Sequence, residues 1–107
     1  MKFVVKKYNE NHATVRRGTY PDGSTKLTVI GRYGQVICDA TVCLQDMGEY
    51  PENGSVFIRD YGDTQGALRA LQDAGVIGKT QRVIDSSSRT CDPLTRRPVH
   101  ECRLLFL

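Results

Sequence analysis

One segment near the middle of the chain has the apolar spacing of a helix. Its apolar residues recur at i, i+1, i+4 and i+7, one stripe of a 3.6-residue repeat: Ala67, Leu68, Leu71 and Ala74. Gly75 follows at the position where a left-handed residue closes many helices. Asp60 or Asp63 can accept hydrogen bonds from its first free N–H groups. The pattern predicts a helix at about residues 63–74, too short to be stable unless it packs on a sheet.

Alternating and β-branched runs on both sides of this helix predict strands. We expect strands over 3–8, 12–20, 26–30, 35–44, 56–58, 80–84 and 99–106, with turns at 9–11, 21–24 and 31–34. In the longest run, one face carries Val36, Cys38, Ala40, Val42 and Leu44, and the other is mostly polar: Ile37, Asp39, Thr41 and Cys43. Such a division is typical of a sheet with one solvated side.

The last predicted strand also alternates, with Cys102, Leu104 and Phe106 on one face and Glu101 and Arg103 on the other. Residues 85–98 show no regular pattern, which indicates a functional or mobile loop. The predicted fold class is α+β: a curved antiparallel sheet of about five to seven strands with one helix packed on it, in a single domain spanning 1–107.

The composition is that of a soluble globular protein, with 39% apolar and 25% charged residues. No apolar run approaches the roughly 18 residues that a membrane span needs. The first residues lack the apolar core of a signal peptide. We therefore expect a cytoplasmic protein with no membrane partner.

Charge is distributed unevenly along the chain. The formal net charge is +3, but residues 45–63 carry −4, which leaves +7 for the remainder. Five acidic residues in this segment form a candidate contact for a basic partner: Asp46, Glu49, Glu52, Asp60 and Asp63. The basic residues Lys6, Lys7, Arg16, Arg17, Arg96 and Arg97 are either a face for nucleic acid or an acidic partner, or solvated strand edges that discourage aggregation.

Catalytic and metal-binding patterns are weak. The four cysteines (Cys38, Cys43, Cys91, Cys102) contain no closely spaced pair of the kind that structural zinc sites use. The best cluster, His100 and Cys102 with Cys91, needs a third ligand from the irregular segment. Cys38 and Cys102 fit small core positions better. We expect no catalytic residue, no metal site and no cofactor.

A family resemblance rests on the apolar spacing of 57–61, 66–77 and 80–83 and on the ending Pro98-Val99 to Cys102-Arg103-Leu104. From about residue 19 onward the chain resembles a small family of uncharacterised domains carried on bacterial plasmids, integrative elements and prophages, often near anti-restriction genes. It departs from that pattern at Tyr61, where the family often has Trp, and at Gly62, where it often has Ser. The resemblance implies a mobile-element context and supplies no catalytic residues.

Together these features predict a non-enzymatic mobile-element protein that binds and inhibits a host defence complex, of the anti-CRISPR or anti-restriction type. Its partner would be a nucleic-acid-handling protein assembly, contacted through the acidic residues. The alternative is a small nucleic-acid-binding regulator that uses the basic residues. The sequence does not fix the oligomeric state.

Overall fold

The computed structural model describes residues 2–5, 8–85 and 97–105. The interior of the irregular segment, together with Lys6, Lys7, Cys91, Arg96 and Phe106, lies outside the described residues. The described part is α+β, as predicted, with eight strands in three antiparallel sheets, one α-helix and no closed barrel. Within it no helix is long and apolar enough to cross a membrane.

The strands are β1 (Phe3–Val5), β2 (Tyr8–Glu10), β3 (Thr14–Thr19), β4 (Thr25–Ile30), β5 (Val36–Asp39), β6 (Ser55–Arg59), β7 (Ile77–Asp85) and β8 (Pro98–Leu104). The sheets have the orders β1-β2, β3-β4-β5 and β6-β8-β7. The helix α1 (Ala67–Asp73) lies between β6 and β7 in the chain, and short 3-10 turns occupy Gln45–Met47 and Gly62–Thr64.

The chain crosses from β5 to the sheet β6-β8-β7 immediately after Asp39. The Ala40 N–H donates to Leu27 O of β4 at 2.9 Å, while Ala40 O accepts from the Arg59 N–H of β6 at 2.9 Å. Thr41 then pairs with Ile58 in an isolated bridge. Backbone hydrogen bonds therefore join the two larger sheets, and one core fills the space between the sheets and α1, including Phe3, Leu27, Val56, Ile58, Leu71 and Ile77.

The helix ends as the sequence predicts. Gly75 has φ +76°, its N–H donates to Gln72 O at 3.0 Å, and the Val76 N–H donates to Leu71 O at 3.0 Å. These are the two bonds of a Schellman motif, which satisfies carbonyl groups left free at the end of a helix. Val76 is buried in the same core as Leu71.

The start of the helix differs from the prediction. Gly66 adopts φ +102° and separates the 3-10 turn from α1, so the helix is shorter than 63–74. A Cβ at Gly66 would lie 2.4 Å from Val4 O, which requires glycine where β1 meets the helix. The buried residues of α1 are Ala67, Ala70 and Leu71, and Ala74 is exposed. The predicted stripe was wrong at Ala74.

The long strand predicted over 35–44 is also shorter than expected. The pairing shifts between Val29↔Cys38 and Ile30↔Val36, a β-bulge that adds Ile37 to β5. Since an extra residue reverses the alternation, Val36 is 59% exposed and Ile37 is buried. Thr41, predicted on the polar face, is 2% exposed, because it lies where the chain crosses between the sheets.

Three further predictions differ from the structure. The predicted strand 3–8 is a hairpin of β1 and β2, so the turn expected at 9–11 was misplaced. β7 begins directly at Ile77, three residues before the predicted start. In β8, Glu101 was predicted on the face opposite Cys102, together with Arg103, and both Glu101 and Cys102 are buried, Glu101 at 2% exposure. This buried carboxylate is the main departure from the predicted pattern.

Candidate protein-binding surface

The acidic segment, residues 45–54, leads from the crossing into β6. It begins with the turn Gln45–Met47, closed by Gly48 at φ +71°. It ends in a β-turn in which the Ser55 N–H donates to Glu52 O at 2.9 Å. Both ends are therefore tied into hydrogen-bonded turns rather than extending freely from the sheet.

Glu101 of β8 binds the backbone of the acidic segment. Its Oε2 accepts the backbone N–H of Glu52 at 2.7 Å, and its Oε1 accepts from Arg82 Nε at 3.0 Å. A buried carboxylate is strongly unfavourable unless its oxygens are hydrogen-bonded and its charge is paired. Both conditions are met, so Glu101 fixes the backbone at Glu52 relative to the sheet.

Arg82 of β7 extends the same contact to two more residues. Its Nη1 donates to Glu49 Oε2 and its Nη2 to Tyr50 O, each at 3.3 Å. Its guanidinium carbon lies 5.7 Å from the centre of the Phe57 ring. We call the pair Glu101 and Arg82, with their contacts to the segment, the Glu101–Arg82 clamp. It connects β6, β7 and β8 to the acidic segment.

The clamp leaves a mixed apolar and acidic surface exposed. Met47 and Tyr50 are 47% and 53% exposed, and Asp46 and Glu52 are exposed beside them in the chain. Tyr and Met are enriched in the cores of protein–protein interfaces, with charged residues at the rim. The segment therefore has the composition of a contact surface.

A cleft of about 220 Å³ lies between the acidic segment and the β3–β4 turn; its lining includes Tyr50, Glu52 and Asp22. Hydrogen bonds from the Ser24 hydroxyl and backbone N–H lower the pKa of Asp22. Asp22 therefore stays ionised at neutral pH and adds a third carboxylate to this side of the molecule. Its role cannot be seen in the sequence, where it is part of an ordinary turn signal.

The remaining acidic candidates have other contacts. Asp60 Oδ1 accepts the N–H groups of Gly66 and Leu68 at 2.7 and 3.3 Å, which confirms its predicted place at the helix start. Asp63 is exposed in the preceding 3-10 turn. Glu49 is paired with Arg82 at 3.3 Å. Asp46 and Glu52 are thus the two residues of the segment whose carboxylates are most accessible to a partner.

The basic candidate residues that the structure describes lie in different surroundings. Arg16 and Arg17 are consecutive in β3, so their side chains project to opposite faces of the sheet. Arg97 is exposed, with its guanidinium carbon 6.0 Å from the Tyr61 ring centre. Lys6, Lys7 and Arg96 are outside the described residues. The arginine pair of β3 does not form one basic patch.

Cys38 and Cys102 are poor nucleophiles. Burial raises the pKa of Cys38 to about 11, and burial also raises the pKa of Cys102. Thr80 Oγ1 lies 3.1 Å from His100 Nδ1 and 3.9 Å from Cys102 Sγ. Cys102 therefore remains a neutral thiol at physiological pH, and its place in the core is confirmed. No three His, Cys, Asp or Glu side chains among the described residues are placed to hold a metal ion.

Comparison of the chain with protein-family models, with curated proteins and with solved structures gives no match. The resemblance to a mobile-element family stays a prediction. The acidic segment and the clamp beneath it are the observations on which a functional proposal depends.

Proposed function

We propose that this protein is a non-enzymatic inhibitor that binds a basic surface of a nucleic-acid-handling defence complex through the acidic segment. The Glu101–Arg82 clamp is the observation that carries the proposal. It binds the backbone at Glu52 and Tyr50 and the Glu49 carboxylate, next to an exposed surface that includes Tyr50 and Met47. The proposed setting is the bacterial cytoplasm, and the proposed source is a mobile element.

Preorganisation is the physical benefit of the clamp. Binding costs roughly 0.5–1.5 kcal/mol for each flexible side chain that it immobilises, and ordering a loop adds to this. A segment already fixed at Glu52, Glu49 and Tyr50 avoids part of that cost. A buried ion pair contributes little to stability compared with an apolar pair of similar size. Its presence is better explained by positioning the acidic segment than by stabilising the core.

Charge indicates the class of partner. Defence effectors hold nucleic acid in channels lined by Lys and Arg. The carboxylates of Asp46 and Glu52, with Asp22 at the adjoining cleft, can occupy such a surface in place of phosphates. Opposite charge would chiefly raise the association rate and the specificity. Tyr50 would supply the desolvated anchor that carries much of the binding energy at an interface.

The test replaces Asp46 and Glu52 with Lys and, separately, Tyr50 with Ala. Glu49 is left unchanged because its carboxylate contacts Arg82, and reversing it would disturb the clamp. Plasmid or phage interference is measured in cells carrying a CRISPR or restriction system, together with a pull-down on the purified complex. We expect both variants to lose inhibition while they keep the wild-type circular dichroism spectrum, since exposed substitutions usually change stability by about ±0.5 kcal/mol.

Asp73→Lys is the control, because Asp73 is an exposed carboxylate on α1 and its reversal changes the charge by +2, as does each of the two reversals in the test variant. It should inhibit normally. If the wild-type protein inhibits neither system and retains no component of the complex, the inhibitor proposal fails. If it inhibits and the Asp46/Glu52 reversal does so equally well, the acidic segment is not the contact.

A further inference from the structure

A second surface lies on the solvent-facing side of the sheet β3-β4-β5. Cross-strand pairing sets Arg16 opposite Thr28 and Gly18 opposite Lys26. Side chains alternate along a strand, so these four residues share one face, and Tyr20 continues it just beyond β3. The core residues of the sheet project from the other face.

Contacts connect the charged groups on this face. Lys26 Nζ is 3.7 Å from Asp39 Oδ2 and 5.8 Å from the centre of the Tyr20 ring. The Thr28 hydroxyl donates to Asp39 Oδ1 at 2.8 Å. Arg59 Nε donates to the backbone oxygen of Asp39 at 2.8 Å. Of the cationic side chains, Lys26 alone contacts the Asp39 carboxylate, while Arg59 binds the Asp39 backbone and Arg16 lies on the far side of β4. Three cations against one carboxylate give this region a net positive charge.

Arg16 is available for a ligand, because it is exposed and makes no hydrogen bond or ion pair with the residues that the structure describes. Gly18 leaves a gap between Arg16 and Tyr20. A Cβ at Gly18 would meet only the Lys26 stem, with its nearest atom 3.7 Å away. The aliphatic part of Lys26 therefore lines this gap, and the Lys26 ammonium group reaches from it to the Tyr20 ring.

Tyr20 is held in place at this gap. Its hydroxyl oxygen is 2.9 Å from Thr41 Oγ1, and the same Thr41 oxygen accepts the Leu27 N–H at 3.0 Å. The Tyr20 hydroxyl group thus ties the ring to Thr41, where the chain crosses between the two sheets. A fixed ring loses little conformational freedom when a flat ligand stacks on it.

We propose that this face binds a single strand of nucleic acid, with a base stacked on Tyr20 over Gly18 and phosphates on Arg16 and Lys26. Stacking on aromatic side chains beside a basic groove is the general mode of single-strand recognition. The six residues of β4 extend about 20 Å, enough for a few nucleotides. A duplex does not fit this arrangement, because its bases are already stacked on one another. This face uses none of the residues of the acidic segment, so the inference does not depend on the inhibitor proposal.

The test is fluorescence anisotropy of the full-length protein with a short labelled mixed-sequence DNA strand, the RNA strand of the same sequence, and the DNA duplex. At low salt at least one single strand should bind more tightly than the duplex. With two phosphates contacted, one each by Arg16 and Lys26, log Kd should rise by about 1.4 per log unit of salt. Arg16→Glu should weaken binding by at least about tenfold and reduce that slope. Tyr20→Leu should weaken binding about tenfold or more while the slope is unchanged.

Arg69→Glu is the matched control, since Arg69 is an equally exposed arginine on α1. It should bind like the wild-type protein. Absence of binding by either single strand at low salt would overturn the inference, as would equal binding of the duplex. Equal losses in Arg69→Glu and Arg16→Glu would show that only net charge matters and would also overturn it. Asp46→Lys/Glu52→Lys should retain or strengthen nucleic-acid binding, which separates this inference from a failure of the inhibitor proposal.

Discussion

Removing either side of the Glu101–Arg82 clamp should destabilise the protein unequally. Arg82→Leu leaves the Glu101 charge buried at 2% exposure with one backbone N–H as its remaining partner. Breaking a fully buried pair in this way costs about 3–5 kcal/mol, and the exposure of Arg82 places the cost here at the lower end, about 3 kcal/mol. Glu101→Leu instead leaves Arg82, whose side chain is 43% exposed, free to be hydrated. The main loss in Glu101→Leu is the acceptor for the Glu52 N–H, which lowers the free energy of unfolding by about 1–3 kcal/mol. Arg82→Leu should therefore be the more harmful change, although it removes the more exposed residue.

The double variant Glu101→Leu/Arg82→Leu gives the sharpest test. Once the carboxylate is absent, losing the guanidinium removes only the weaker contacts to Glu49 and Tyr50. The double variant should thus be about as stable as Glu101→Leu and more stable than Arg82→Leu, so the coupling is as large as the whole Arg82→Leu loss, about 3 kcal/mol. Glu101→Gln, which retains an acceptor oxygen, should lose less than Glu101→Leu.

Urea unfolding followed by far-ultraviolet circular dichroism measures these differences, since the chain has no Trp. Hydrogen exchange at the Glu52 amide provides a local measurement, and its protection should fall in Glu101→Leu. Additive losses in the double variant would refute the reasoning. So would a smaller loss in Arg82→Leu than in Glu101→Leu. The urea slope m should stay constant across the set, because a changed slope would mean that a different state is being compared.

Three other substitutions test separate features of the fold. Gly66→Ala should lower the free energy of unfolding by about 2 kcal/mol or more, measured in urea, because of the positive φ and the close Val4 oxygen. Thr41→Val should cost about 1–3 kcal/mol in the same assay, since the Leu27 N–H loses its acceptor, and Thr41→Ser should restore most of it. Between pH 9.0 and about 11 the Cys38 thiol stays protonated in the folded protein while the unfolded chain ionises, so stability should fall by up to about 2 kcal/mol as pH rises. That part of the decline should be absent in Cys38→Ala.

Sequence alone predicts the helix end, the turns and the strands that depend on residues close together in the chain. The helix ends at Gly75, and Asp60 accepts hydrogen bonds from the N–H groups at its start. Both residues lie within a few positions of the helix in the chain. The β3–β4 and β4–β5 turns likewise follow from local Pro, Asp and Gly residues. The strand predicted over 26–30 is also found, and where β4 pairs regularly with β3 its residues Leu27 and Val29 are buried. The α+β class follows from these local features.

The candidate surface could be predicted only in part. The charges of Asp46 and Glu52 are visible in the sequence, but the contact that positions the acidic segment joins residues 49 positions apart. Glu101 has the appearance of a solvated strand residue until the register of β8 with β7 sets it opposite Arg82. Ile37 was misplaced for a related reason, because a bulge depends on the partner strand. Tyr20 and Arg16 become neighbours of Lys26 only when β3 pairs with β4.

The order of strands in the sheet β6-β8-β7 constrains how the protein folds during synthesis. β8 lies between β6 and β7, and both of these precede it in the chain. During synthesis on the ribosome neither strand has its neighbour until residues 98–104 have emerged, so β6 and β7 present unpaired edges in the meantime. Glu101 arrives with the same strand, which means that the acidic segment also acquires its anchor at that late stage. A nascent chain of this protein is therefore exposed to misassociation until β8 inserts, and its folding rate is expected to depend on that long-range step.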